Sequence, residues 1–273
     1  MQHTPRKRFG QNFLVDQAII ETLISRIAPL PDQNIVEIGP GQGALTEPLL
    51  RQSCDLTVIE LDRDLVAALQ SLPQKVSNPD CTFNVISADA LTVDYAKLAK
   101  EKADKLRIVG NLPYNISTPL LFYLLEYSEH ITDLHFMLQK EVVERIAAKP
   151  GNKTYGRLSV MMQWLCTTSP LVSVPSTAFK PQPKVESGFI RLVPKGLPVD
   201  ELKIAKTLKG LVTAAFSQRR KTLRNSLSKW IDSNTLEQLG IDPVRRAETV
   251  SVEEYCLLAQ HVYKTSGSHS ANI

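Results

Sequence analysis

The spacing of apolar residues changes character along this chain. Ile19, Ile20, Leu23, Ile24 and Ile27 recur every three or four positions, one face of a helix, with Asp16 as N-cap and Pro29 and Pro31 as its stop. Short apolar runs then predict strands at Asn34–Ile38, Leu56–Ile59, Thr82–Ile86, Leu106–Val109 and Leu134–Leu138. Helical stretches lie between them at 62–69, 120–127 and 141–148. Residues 158–166 are largely apolar and expected to be buried; Leu171–Val174 and Gly188–Val193 read as two closing strands. Pro194 to Pro198 forms a linker. Beyond it the period is helical. Ile204, Leu208, Leu211 and Val212 share a face, Phe216, Leu223 and Leu227 follow, and Ser251 with Glu254 makes a capping box before Tyr255, Leu258 and Val262. The pattern predicts an α/β domain over 1–193, with residues 1–15 as a basic arm. A linker at 194–198, a small all-α domain over 199–264 and a disordered polar tail at 265–273 complete it.

The chemistry collects where these strands end. The first runs into Gly39-Pro40-Gly41-Gln42-Gly43-Ala44, and glycines let a ligand approach the backbone where a Cβ would clash. Twenty-one residues after Gly39 the next strand ends in Glu60, a carboxylate able to accept from both hydroxyls of a ribose. That spacing points to a nucleotide-type cofactor without saying which, since Gly39, Gly41 and Ala44 also satisfy the loose dinucleotide fingerprint. Asp89 ends the third strand, where an acid suits an exocyclic adenine amine, although an Asp there more often caps a helix. The fourth delivers Asn111-Leu112-Pro113-Tyr114: an amide with donor and acceptor, a stiffened loop and a flat aromatic face. Such a set can hold a planar, amino-bearing base, or form an ordinary turn. Phe179, on a loop with Lys180, Pro181, Pro183 and Lys184, can clamp a base opposite Tyr114 or pin the loop to the body.

Composition narrows the class. With 43% hydrophobic and 22% charged residues the chain has the make-up of a soluble globular protein. No apolar run suits a membrane span, and no apolar h-region follows the basic N-terminus, so a cytoplasmic location is expected. Cys54, Cys81, Cys166 and Cys256 are scattered, which argues for reduced thiols and against a metal site. The net charge of +4 is modest but concentrated. Arg6, Lys7 and Arg8 stand in an acid-free arm, and seven basic residues between Lys206 and Trp230, among them Arg219, Arg220, Lys221 and Arg224, have no acid among them. Two such clusters suggest a polyanionic partner.

Together these motifs resemble the small-subunit ribosomal RNA adenine dimethyltransferases, the KsgA family. The resemblance rests on residues 7–14, 36–41, 58–62, 110–117 and 216–225 and extends from the arm to about Tyr263. It implies a Rossmann-like methyltransferase fold, a seven-stranded, mostly parallel sheet with an antiparallel last strand, followed by the helical domain. It implies S-adenosylmethionine as methyl donor, held by Asn12, Leu14, Gly39, Gly41, Glu60, Asp89 and Asn111. The target base would be held by Asn111, Leu112, Pro113, Tyr114 and Phe179. RNA would be gripped by Arg6, Lys7, Arg8, Lys180, Lys184, Arg219, Arg220, Lys221 and Arg224. The implied reaction is N6,N6-dimethylation of two adjacent adenosines in the 3′-terminal hairpin loop of small-subunit rRNA, within a pre-small ribosomal subunit. The protein would act as a monomer, with no membrane and no metal. A nicotinamide oxidoreductase would share the glycine turn and Glu60 but leave Asn111–Tyr114 and the basic cluster without a purpose.

Overall fold

The computed structural model describes residues 11–52, 55–72, 82–102, 104–218 and 220–267. Nine strands occur among them: β1 (Phe13–Leu14), β2 (Asn34–Ile38), β3 (Asp55–Glu60), β4 (Phe83–Ser87), β5 (Leu106–Asn111), β6 (Ile131–Gln139), β7 (Cys166–Val174), β8 (Phe179–Lys180) and β9 (Ser187–Pro194). The helices up to the linker are α1 (Gln17–Ile27), α2 (Thr46–Leu50), α3 (Arg63–Gln70), α4 (Tyr95–Lys102), α5 (Ser117–Leu125), α6 (Lys140–Ala147) and α7 (Arg157–Leu165). Those after it are α8 (Val199–Leu202), α9 (Ala205–Ser217), α10 (Leu223–Ser226), α11 (Ser233–Gln238) and α12 (Val252–Gly267).

Seven strands form one sheet in the order β4-β3-β2-β5-β6-β9-β7. Pairing is parallel from β4 through β6, and β9 enters antiparallel against β6. The order reverses between β2 and β5, so their carboxyl ends, Ile38-Gly39 and Gly110-Asn111, open the crevice where such sheets take ligands. Gly110 permits this closeness, because a Cβ there would lie 2.5 Å from the Ile38 carbonyl oxygen. At the opposite end Arg107, 8% exposed, locks the frame. Its guanidinium meets Asp133 on β6, and also donates to the Ile27 and Ala28 carbonyls that end α1. Burial works against the Asp133 charge, but Arg107, with His135 and Arg191 nearby, holds its carboxyl below the ordinary value.

Contacts divide the chain into two compact units. One runs to Val143 and takes up Ser169–Pro194; the other joins Glu144–Thr168 to the residues from Lys195 onward. One break between the units falls between Pro194 and Lys195. Residues 144–168, read from sequence as part of the α/β domain, cluster instead with the C-terminal helices, because α9 packs against both α7 and α12. Within this second unit Phe216 meets Tyr155 and Tyr255, Gly210 lies under Trp230, and the Ser251/Glu254 capping box is formed. Glu254 also takes a two-pronged ion pair from Arg245. Helix α12 reaches Gly267, so residues 265–267 are helical rather than part of a disordered tail. The rest of that tail, the arm residues Arg6, Lys7 and Arg8, and Arg219, Cys54 and Cys81 lie outside the described residues. Cys166 and Cys256 are free thiols. Among the described residues no helix is long and apolar enough to cross a membrane.

Candidate active site

A cavity of about 320 Å³ opens at the β2–β5 switch point. Asn12, Leu14, Gly39, Gly41, Glu60, Asp89 and the Asn111–Tyr114 loop all line it, as does Phe179. The structure thus gathers every sequence-derived candidate for cofactor and base into one wall. The basic candidates lie elsewhere: Lys180, Lys184, Arg220, Lys221 and Arg224 are exposed.

The glycine turn is built by position. Gly39, Gly41 and Gly43 all have positive φ, at 67°, 57° and 87°. At Gly41 a Cβ would also press on the Phe13 ring at 3.0 Å. The turn is tied to the end of β3, since the Gly41 N–H donates to Glu60 Oε2 at 3.2 Å. Glu60 Oε1 accepts from the Asp62 N–H at 2.8 Å, so backbone N–H groups hold both carboxylate oxygens at the cavity wall. Burial raises the Glu60 pKa, against the opposing pull of the Asp62 and Gly41 N–H groups.

Asp89 does two things at once. Its Oδ1 accepts from the Leu91 N–H at 3.0 Å in a local turn, not at a helix start since α4 begins only at Tyr95, and the residue also borders the cavity. Its loop is backed by aromatics. Fully buried Tyr95 donates to the Ala90 carbonyl at 3.0 Å and packs edge-on with Tyr123 and Tyr127.

The Asn111 side chain is oriented by the arm. Its Nδ2 donates to the Asn12 carbonyl at 3.1 Å, and among the described residues no hydrogen bond reaches its Oδ1. Tyr114 is half-buried, its hydroxyl 2.9 Å from the Ser187 hydroxyl on β9, so the ring is held at both ends. Leu112 is buried and anchored through its N–H to the Met137 carbonyl. Phe179, 2% exposed, belongs to the core cluster under the sheet as well as to the cavity wall. It therefore performs the pinning role foreseen as the alternative to a base clamp. The pin works through backbone too, since β8 pairs antiparallel with β1, Leu14 opposite Phe179.

Sequence reasoning missed Gln11, Phe13 and Glu37 as site residues. Gln11 donates to Asp62 Oδ2 at 3.1 Å and thereby straps the arm to the β3–α3 turn. Glu37 borders the cavity from within β2. Its signal was an acid set between Val36 and Ile38 within a strand, which a reading by apolar runs passes over.

A nucleoside carrying a charged sulfur suits this wall. There are carboxylates for hydroxyls and an amine, and a glycine cradle that a Cβ would fill. No Lys, Arg or His stands among the described lining residues.

Comparison with known proteins agrees. Residues 2–264 match the family model described as ribosomal RNA adenine dimethylase. The chain is 52% identical over 258 residues to the ribosomal RNA small subunit methyltransferase A of Photorhabdus laumondii, covering 94% of this chain and 93% of that protein. It is likewise 52% identical over 260 residues to the protein of that name from Enterobacter sp., covering 95% and 94%. Among solved structures it resembles a dimethyladenosine transferase from Plasmodium falciparum with a TM-score of 0.79 at 22% identity, over 93% of this chain and 98% of that one, a likeness of fold. It also resembles the 23S rRNA methyltransferase ErmE, with a TM-score of 0.69 at 25% identity, over 92% and 99%. The chain belongs to the ribosomal RNA adenine dimethylase family.

Proposed function

We infer that this protein transfers methyl groups from S-adenosylmethionine to the N6 amines of two adjacent adenosines in the 3′-terminal hairpin loop of small-subunit rRNA, giving N6,N6-dimethyladenosines. The observation that carries the reading is Asn111, whose amide nitrogen is spent on the arm and whose oxygen is left as an acceptor on the cavity wall. Asn12, Leu14, Gly39, Gly41, Glu60 and Asp89 would hold the cofactor beside it. When bound, S-adenosylmethionine supplies a methyl group activated by positively charged sulfur.

The chain's own contribution is positioning and electrostatics. An exocyclic adenine amine is a weak nucleophile because its lone pair is delocalised into the ring. Asn111 Oδ1 accepts from that amine, draws its hydrogens out of the plane and localises the lone pair. Tyr114 offers its ring for stacking, worth about 1–3 kcal/mol per base. Exposed Lys180, Lys184, Arg220, Lys221 and Arg224 meet phosphates, together with Arg6, Lys7, Arg8 and Arg219. The setting we assign is a pre-small ribosomal subunit in the cytoplasm, engaged by a single copy of the protein.

Mass mapping of small-subunit rRNA from cells with and without the protein tests this. Loss of two adjacent dimethyladenosines, restored by the wild-type protein but not by Asn111→Ala, is the expected result. An unchanged modification pattern refutes it.

A further inference from the structure

Glu37 sits where a charge is costly. It lies in β2, between β3 and β5, in a strand whose five residues are all buried, and is itself 2% exposed. The Thr46 hydroxyl donates to its Oε2 at 2.6 Å, and among the described residues no hydrogen bond reaches Oε1. The residue borders the cavity, where two further acids, Glu60 and Asp89, stand on the same wall. The other groups facing that space, Tyr114 and the Asn111 amide, bring no positive charge. Burial pushes the Glu37 carboxyl up to about 8, with Thr46 opposing and the Glu60 charge assisting. A buried acid beside other acids keeps its proton until a cation arrives.

We propose that Glu37 reads the charge on the cofactor's sulfur. Its O–H bond breaks, the proton leaving to solvent, when the sulfonium form enters. The bond re-forms with a proton from solvent once the neutral thioether product remains. The inference rests on the reading that this cavity holds S-adenosylmethionine. Donor and product differ by one methyl group and one charge, and among the cavity's acids Glu37 combines the deepest burial with an uncommitted oxygen. It thereby acts as a specificity-determining residue that favours the donor and lets the product go.

The test is calorimetric titration of the full-length protein at pH 7 with S-adenosylmethionine and, separately, S-adenosylhomocysteine, in buffers of different ionisation enthalpy. The dependence on buffer counts protons. Wild type should release close to one proton more with S-adenosylmethionine than with S-adenosylhomocysteine, and the difference should vanish at pH 9, where Glu37 is already ionised. Glu37→Gln keeps an acceptor for Thr46 and supplies the contribution of the ligands' own ammonium groups. There only that background should remain, and the donor-to-product affinity ratio should fall about tenfold, one partly screened charge pair less one pKa unit of deprotonation. Equal proton counts for the two ligands in wild type overturn the proposal, with no variant required. So does a difference as large in Glu37→Gln as in wild type. Binding of both ligands without a proton difference removes this role alone, whereas absence of binding by either removes the cofactor reading as well.

Discussion

In the proposed reading Asn111 and Glu60 each serve a backbone and a ligand at once, which sharpens what their removal should do. If Asn111 meets the amine chiefly as it pyramidalises, as proposed, its loss should show in rate rather than in RNA affinity. Asn111→Ala is expected to slow single-turnover methylation by roughly 10²–10³, the cost of losing one oriented polar group at a transition state. Asn111→Asp, which keeps an acceptor but loses the donor to Asn12, should retain part of that rate. Glu60→Ala should weaken S-adenosylmethionine binding by about 1.5–3 kcal/mol, measured by calorimetry, because a charge-assisted hydrogen bond goes and the Gly41 N–H loses its partner. Both positions were legible because a polar residue just past an apolar run marks a strand's carboxyl end. Glu37 was not, because its meaning depends on a cavity that only the packed sheet creates.

At the scale of elements, long periodic segments were readable and short ones were not. The parallel strands, α1 and α9 announced themselves by spacing. Strand β1 has two residues and exists because β8 pairs with it. Helix α7 passes directly into β7 at Cys166, and the polar Thr167-Thr168-Ser169-Pro170 that would suggest a loop lies inside the strand instead. The basic segment around α10 was visible as charge, and its Leu223 and Leu227 are fully buried, so Arg220, Lys221 and Arg224 are presented on a fixed support. Replacing these three by alanine should weaken rRNA binding and flatten its log–log salt dependence by about 0.7–0.9 per lost phosphate contact. Filter binding across a salt series measures this, with cofactor affinity unchanged.

For the whole molecule, the division into units was half legible. The linker after Pro194 shows in sequence, whereas the allegiance of residues 144–168 is decided by what α9 packs against. Two buried groups of opposite sign contribute to the molecule's response to pH. His135 is 1% exposed and has no hydrogen bond to either ring nitrogen among the described residues. Burial lowers its pKa from 6.5 to about 4, against the pull of Asp133 and with Arg107 and Arg191 assisting. The unfolded chain therefore binds this proton more readily, and the stability His135 allows is lost as pH falls from 6.5 toward 4. Glu37 works the other way. Its folded pKa is raised from 4.5 to about 8, so stability is lost as pH rises through that window. The two oppose each other between 4.5 and 6.5, and above 6.5 Glu37 acts alone. Cofactor-free wild type should lose about 2 kcal/mol between pH 6.5 and pH 8 by urea denaturation, and Glu37→Gln should lose far less. The short β1–β8 ladder carries a kinetic consequence as well. Leu14 and Phe179 are register partners that both line the cavity, so any loosening of this two-residue ladder while a spent cofactor is exchanged for a fresh one would disturb the Phe179 side of the same wall. Two methyl groups require two cofactors, and the half-finished adenosine should drift away between them. Rapid-quench time courses are expected to show monomethyladenosine rising and falling ahead of the dimethylated product, the mark of a distributive enzyme.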